Sequence, residues 1–188
     1  MSLANDDVVT KKEFFQMREQ TEELLEYIHG LVFMSPSPST IHQRISSRLH
    51  ATLFNALDGS ECEVFPAPFD IELKNDEKDT SQIIIPDLSV ICDKTGLNEQ
   101  RFVGVPDVII EIISPSNQSH DLVIKLNLYM DYGVKEYWIV NPLLNTIQLY
   151  ILDEEGNYQQ QNVVKDYGVV QSEVIKNFNV QAEELFSY

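Results

Sequence analysis

The chain has 188 residues, 30 of them acidic against 13 basic, for a formal net charge of −17. That length suits one domain over residues 1–188 with a full hydrophobic core, and such acidity argues against a general basic clamp on nucleic acid, because phosphate is repelled at long range. No apolar run approaches the ~20 residues of a membrane span, and "MSLANDDVVTKKEFF" lacks the basic start and apolar stretch of a secretion signal, so a cytoplasmic protein with no membrane partner is expected.

Thr10 followed three residues later by Glu13 is a capping-box pattern and predicts a helix starting near residue 10. "LLEYIHGLVFMS" reads as two apolar segments around His29-Gly30, hence a hairpin, or else as a helix continuing through Ile28. "PSPST" is a loop. Ile41, Ile45, Leu49 and Leu53 recur every fourth position, which predicts an amphipathic helix over 39–57. Cys62 and Cys92 stand in apolar contexts without CxxC spacing or a nearby histidine and read as two buried free thiols. In "APFDIEL", Phe69, Ile71 and Leu73 alternate with Asp70 and Glu72, the period of a half-exposed strand. "KNDEKDTSQ" is a solvated loop. "IIIPDLSVIC" and "PDVIIEIIS" are too continuously apolar for a one-sided sheet and predict central strands covered on both faces, with "DKTGLNEQRFVGV" as a loop between them. Over 119–132, Leu122, Leu126 and Tyr129 fall on one helical stripe that Gly133 can end. "KEYWIV" is a further buried strand, and "NTIQLYIL" and "YQQQNVV" form a hairpin across "DEEGN". The simplest assembly is one mixed sheet flanked by helices, with 107–113, 119–132 and 136–140 as a parallel pair joined by a right-handed crossover.

Glu111 is the anomaly. It is flanked by Ile109, Ile110, Ile112 and Ile113, and an ionised carboxylate in such company without a partner would shift its pKa or destabilise the fold. Either it reaches water at an edge or a positive group meets it. Two proline-aspartate pairs, Pro86-Asp87 and Pro106-Asp107, open the two central strands. If those strands are neighbours, Asp87 and Glu111 can converge on one cleft and hold a divalent cation, which takes hard oxygen ligands and can polarise a phosphodiester and activate water. The plainer alternative for Asp87 is a cap on loop amides. Asp107 lies ~13 Å from Glu111 at ordinary strand rise and reads as structural. Asp70 and Glu72 are possible additional ligands.

The segment "IPDLSVICDK…VGVPDVIIEIISPSNQSHDLVIKLNLYMDYGVKEYWIVNP" resembles the PD-(D/E)XK phosphodiesterase superfamily, and more closely its Uma family of restriction-endonuclease-like proteins. The resemblance runs from "EYIHGLVFMSPSPSTIHQRI" to about Tyr150. It implies a restriction-endonuclease-like α/β fold of mixed α+β character, a central mixed sheet flanked by helices. It implies an endonuclease, a phosphodiesterase dependent on Mg2+ or Mn2+, with nucleic acid, first of all DNA, as partner. A homodimer would set paired sites against the two-fold of a duplex. Residue by residue, Asp87 and Glu111 match the metal-binding acids. The lysine that ordinarily follows the second acid by two positions is Ile113 here; in Uma-type sequences a lysine of the following helix takes that place, which is Lys125. Asp121, four residues earlier, could steer Lys125, or the two could form an ordinary helix-surface pair worth ~0.2–0.5 kcal/mol. His42 matches a recurrent histidine, as a water or phosphate contact or as a boundary residue packed on the core. The chain departs from the pattern again at Asn141, where an acid is expected before Pro142, and at Asn117 and His120, where basic residues are expected. The alternative function is a non-catalytic interaction or scaffold protein that retains the fold; a sugar or small-molecule hydrolase using two carboxylates is a distant third. Gathering of Lys94, Arg101, Arg44, Arg48, Lys125 and Lys135 near the cleft would separate the first two.

Overall fold

The computed structural model describes residues 8–35, 37–74, 80–114 and 120–187, with the side chains of 120–122 outside that description. Loop residues 75–79, Asn117, and the side chains of His120 and Asp121 therefore lie outside the described residues. The local signals of the first sixty residues hold. Helix α1 (Lys11–Arg18) begins at Thr10, whose side chain and that of Glu13 cap each other's backbone. Strands β1 (Leu25–Ile28) and β2 (Leu31–Met34) pair antiparallel around His29 and Gly30, at φ 52° and 81°, so the hairpin and not the continuous helix forms. Helix α2 (Thr40–Ala56) starts at Ser39, which accepts from the His42 backbone N–H. It buries Ile45, Leu49 and Leu53, each worth about 1.5–3 kcal/mol on removal from water.

The strands that follow are β3 (Glu63–Pro66), β4 (Asp70–Leu73), β5 (Gln82–Ile84), β6 (Leu88–Ile91), β7 (Arg101–Gly104) and β8 (Val108–Ile112). A π-helical turn over His120–Lys125 leads into α3 (Leu126–Tyr132), ended by Gly133 in the left-handed region at φ 88°. Then come β9 (Glu136–Asn141), β10 (Thr146–Leu152), β11 (Tyr158–Lys165), β12 (Val169–Gln171), β13 (Asn179–Gln181) and α4 (Ala182–Leu185).

Two larger sheets form in place of the single sheet expected: β2-β1-β5-β4-β7, and β11-β10-β9-β8-β6-β3, with β12-β13 a separate pair. The reason lies in "IIIPDLSVIC". Pro86 cannot donate to a ladder, and at that point the chain leaves the first sheet as β5 and enters the second as β6. The presumed loop 93–105 also holds a strand, β7, which pairs parallel with β4. Of the strand–helix–strand unit, the parallel pairing forms as expected: β8 and β9 are neighbours, Glu111 opposite Ile139.

The six-stranded sheet is covered on both faces. Val108, Ile110, Ile112, Trp138 and Val140 pack with α2 and the C-terminal residues Phe178 and Leu185. The alternate residues Ile109, Ile113, Tyr137 and Ile139 pack with α3 and with Ile28, Ile71 and Ile84 of the other sheet. Cys62 and Cys92 are not free thiols but a disulfide. Glu63 pairs with Ile91 across β3 and β6, so continuing that register by one residue sets the two cysteines opposite each other, a juxtaposition that sequence spacing cannot show. No helix is long and apolar enough to cross a membrane among the described residues.

Candidate active site

The alternation that sends Ile109 and Ile113 under α3 sends Glu111 the same way, where it is 4% exposed. It is not an edge glutamate in water. Its Oε1 accepts from Lys125 Nζ at 2.9 Å and from the Tyr129 hydroxyl at 2.6 Å. Lys125, at the end of the π-helical turn, is also 4% exposed and lies 3.1 Å from Oε1 of a second buried acid, Glu26 of β1. Glu26 Oε1 in turn accepts from the Ile85 backbone N–H at 2.8 Å. The positive group that Glu111 requires is thus a lysine held between two carboxylates. That geometry displaces the reading of Lys125 as an exposed partner of Asp121. Tyr129 keeps its proton: burial first, then the charge of Glu111, pushes its pKa well above the ordinary value.

Asp87 precedes β6, and the pairing of Leu88 with Ile110 brings it beside the end of β8. Its Oδ2 accepts from the Ile112 N–H at 2.7 Å, and the His42 Nε2 lies 3.1 Å away. The carboxylate therefore holds a backbone amide of the neighbouring strand and not loop amides, and it lines the same cavity as Glu111. Asp87, Glu111, Lys125 and His42 all line one cavity of about 650 Å³, closed in by Ser35, Ser39, Ser46 and Pro66–Pro68.

Count the charges at this wall. Among the described residues, Asp87 and Glu111 at the wall and Glu26 behind it supply three carboxylates; Lys125 supplies one cation, and His42 adds another only when protonated. An acidic surplus of hard oxygen donors, with two of the three carboxylates lining a cavity, fits a divalent cation. Among the described residues no three His, Cys, Asp or Glu side chains form a complete cation cage. A cation here would draw on Asp87 and Glu111 and fill its remaining positions with water and substrate oxygen, as magnesium does.

The other candidates lie elsewhere. Asp107 accepts from the Cys92 N–H and from Lys135, a structural role as expected. Asp70 pairs with Arg18 at 2.5 Å, and Glu72 with Lys11 and Arg101, so neither joins the cavity as a ligand. Burial alone would raise the pKa of Glu72, but hydrogen bonds from Lys11 and Ser81 and the nearby cations bring it below the usual value. Of the six basic residues that could have gathered at the cleft, only Lys125 lines it. Lys94 is engaged by Glu63, Lys135 by Asp107, and Arg48 by the carbonyls of Glu184 and Leu185.

Sequence reasoning missed Glu26 and treated Tyr129 as core alone. Glu26 carries the same signal as Glu111, an acid between apolar residues in a strand, in "LLEYI". The shortness of that strand and its rival helical reading hid it.

Comparisons with known proteins agree with this fold. A crystal structure described as a putative nuclease belonging to DUF820, from Anabaena variabilis, superposes with a TM-score of 0.74 at 20% identity, over 95% of this chain and 97% of that one. The Synechocystis protein named "uncharacterized protein slr1290" is 29% identical over 151 residues, 80% of this chain and 77% of its own. The family model Uma2, described as "putative restriction endonuclease", matches residues 12–183, and the chain belongs to that family.

Proposed function

We propose that the protein is a metal-dependent phosphodiesterase, an endonuclease acting on DNA. The observation that carries this reading is the acidic surplus at one cavity wall: Asp87 and Glu111 facing a common space, with the ammonium of Lys125 2.9 Å from Glu111. Family membership points the same way. Asp87 and Glu111 would hold Mg2+ or Mn2+, which when bound polarises the phosphodiester and lowers the pKa of an attacking water. Hydrolysis forms a bond from that water oxygen to phosphorus and breaks one ester P–O bond. The water loses a proton, and the leaving oxygen gains one. Lys125 supplies a fixed positive charge where negative charge develops on the phosphoryl oxygens. His42, whose Nε2 lies 3.1 Å from Asp87, orients that carboxylate. A homodimer would present two such cavities to the two strands of a duplex.

One observation favours the second reading, a non-catalytic protein that retains the fold. Among the described residues Lys125 is the only lysine or arginine lining the cavity, a sparse grip for a polyanion, and the chain carries a charge of −17. Incubation of plasmid and single-stranded DNA with Mg2+ or Mn2+, comparing wild type with Asp87→Asn, separates the two. Cleavage by wild type that Asp87→Asn loses supports the nuclease. Failure of wild type to cleave or to bind either metal leaves the non-catalytic reading standing.

A further inference from the structure

The proposed reaction accounts for Asp87, Glu111 and Lys125 but leaves the most buried acid of the cluster without a task. Glu26 is 3% exposed, and its Oε1 carries two contacts at once, Lys125 Nζ at 3.1 Å and the Ile85 N–H at 2.8 Å. Ile85 stands two residues before Asp87, where the chain crosses between the two sheets. Glu26 therefore joins three things: its own hairpin, the Ile85–Asp87 crossing, and the ammonium at the cavity wall. Glu26 is absent from the cavity lining, whereas Lys125 and Glu111 are part of it. The lysine is thus held from behind by one acid and from the cavity side by another.

That asymmetry matters once a cation competes for Glu111. A divalent ion and the Lys125 ammonium seek the same carboxylate. With Glu111 as its principal anion, the ammonium would either resist the incoming cation or be expelled from the wall. With Glu26 behind it, it can yield Glu111 and stay in place. We propose that Glu26 is a positioning residue that acts through Lys125, anchoring the ammonium so that Glu111 is released to a divalent cation without loss of the lysine from the site. This rests on the metal-dependent reading above and deepens it.

The test is manganese binding by titration calorimetry on wild type, Glu26→Gln, Lys125→Met and the double variant. It does not depend on cleavage. Glu26→Gln keeps an oxygen for the Ile85 N–H while weakening the hold on the ammonium, which then falls on Glu111. The expected result is an affinity about tenfold weaker in the wild-type background and less than about threefold weaker when Lys125 is Met, a coupling typical of residues in contact. Cleavage by Glu26→Gln at saturating metal should fall in kcat with KM for DNA unchanged, again with no further loss in the Lys125→Met background. Equal weakening in both backgrounds would make Glu26 a direct ligand and overturn the proposal. Unchanged affinity in both, with only a lowered melting temperature, would reduce it to a fold staple and overturn it too. Should Glu26→Gln not fold, Glu26→Asp shortens the reach while keeping the charge, and the same dependence on Lys125 is required of it. Wild type that binds no manganese removes the metal reading itself, and this inference with it; wild type that binds manganese but cuts no DNA leaves the anchoring test intact.

Discussion

Two buried glutamates on adjacent parallel strands serve opposite ends. Glu136 opens β9, is 0% exposed, and accepts from the Trp138 indole N–H at 2.6 Å and from the backbone N–H groups of Glu173 and Val174 at 2.9 and 3.0 Å. Its donors are all neutral, and it does not line the cavity of Asp87 and Glu111. It pins the C-terminal segment to the sheet. Glu111 of β8 is buried almost as deeply, yet its partners are an ammonium and a phenol, and it opens on a cavity beside a second carboxylate. Burial of a carboxylate is therefore not a mark of function by itself. The mark is a surplus of charge facing a space that something could fill.

The contrast breaks most visibly in activity. Glu111→Gln should remove metal binding and lower DNA cleavage by at least about a hundredfold, while Glu136→Gln should cleave like wild type per folded molecule. A matched loss from both variants in single-turnover assays would erase the distinction. Stability should show the reverse pattern. Glu136→Ala strands three buried donors at about 1 kcal/mol or more each, a melting temperature lower by roughly 10 °C for a domain of this size. Lys125→Ala in chelator should cost about 3–5 kcal/mol, because it leaves two buried carboxylates without their shared cation; a loss of a few tenths by chemical denaturation would restore Lys125 to the surface.

Alkaline pH sharpens the comparison on the side of the neutral donors. Tyr158 is half-buried and its hydroxyl donates to the Val134 carbonyl at 2.8 Å; the desolvation that comes with this raises its pKa far above the ordinary value. A pKa raised in the folded state means stability that is full below the unfolded value near 10 and lost as pH rises beyond it. The slope should be about 1.4 kcal/mol per pH unit for this one group. Denaturation curves between pH 9 and about pH 11 should flatten in Tyr158→Phe relative to wild type. A smaller effect than at Lys125 is expected from Tyr129→Phe, about 1.5–3 kcal/mol for one hydrogen bond to a charged acceptor, with a few-fold drop in turnover as Glu111 loses one of its restraints. Wild-type turnover in that variant would separate the phenol from the site.

Much of this was legible because it is local. The capping box at Thr10 and Glu13, the His29-Gly30 turn, the Ser39 cap before a four-residue apolar period, and the Gly133 stop each depend on neighbours within one or two turns. The anomaly of Glu111 was legible too, since an acid inside an isoleucine run demands an explanation. What the sequence could not carry was pairing at a distance. The Glu26–Lys125 contact spans 99 residues of chain, and the Cys62–Cys92 bond depends on a strand register. The division into two sheets turns on Pro86, where the sequence signals the start of one strand but not the end of another. Glu136 stood in "KEYWIV" with the same anomaly as Glu111 and was passed over, because its answer, three N–H groups, lies partly in a C-terminal segment with weak periodicity.

The crossing at Pro86 also bears on how the protein opens. A stretch of ten residues, Gln82–Ile91, supplies a strand to each large sheet, and Glu26 clasps its midpoint at Ile85. Neither sheet can fray through that stretch without loosening the other, so the two belong to one cooperative unit in the sense that hydrogen exchange measures. The amides of Ile84 and Leu88 should then exchange only through the same large opening, although they sit in different sheets. Asp87 lies inside that stretch, so its surroundings should be released only by the opening that separates both sheets.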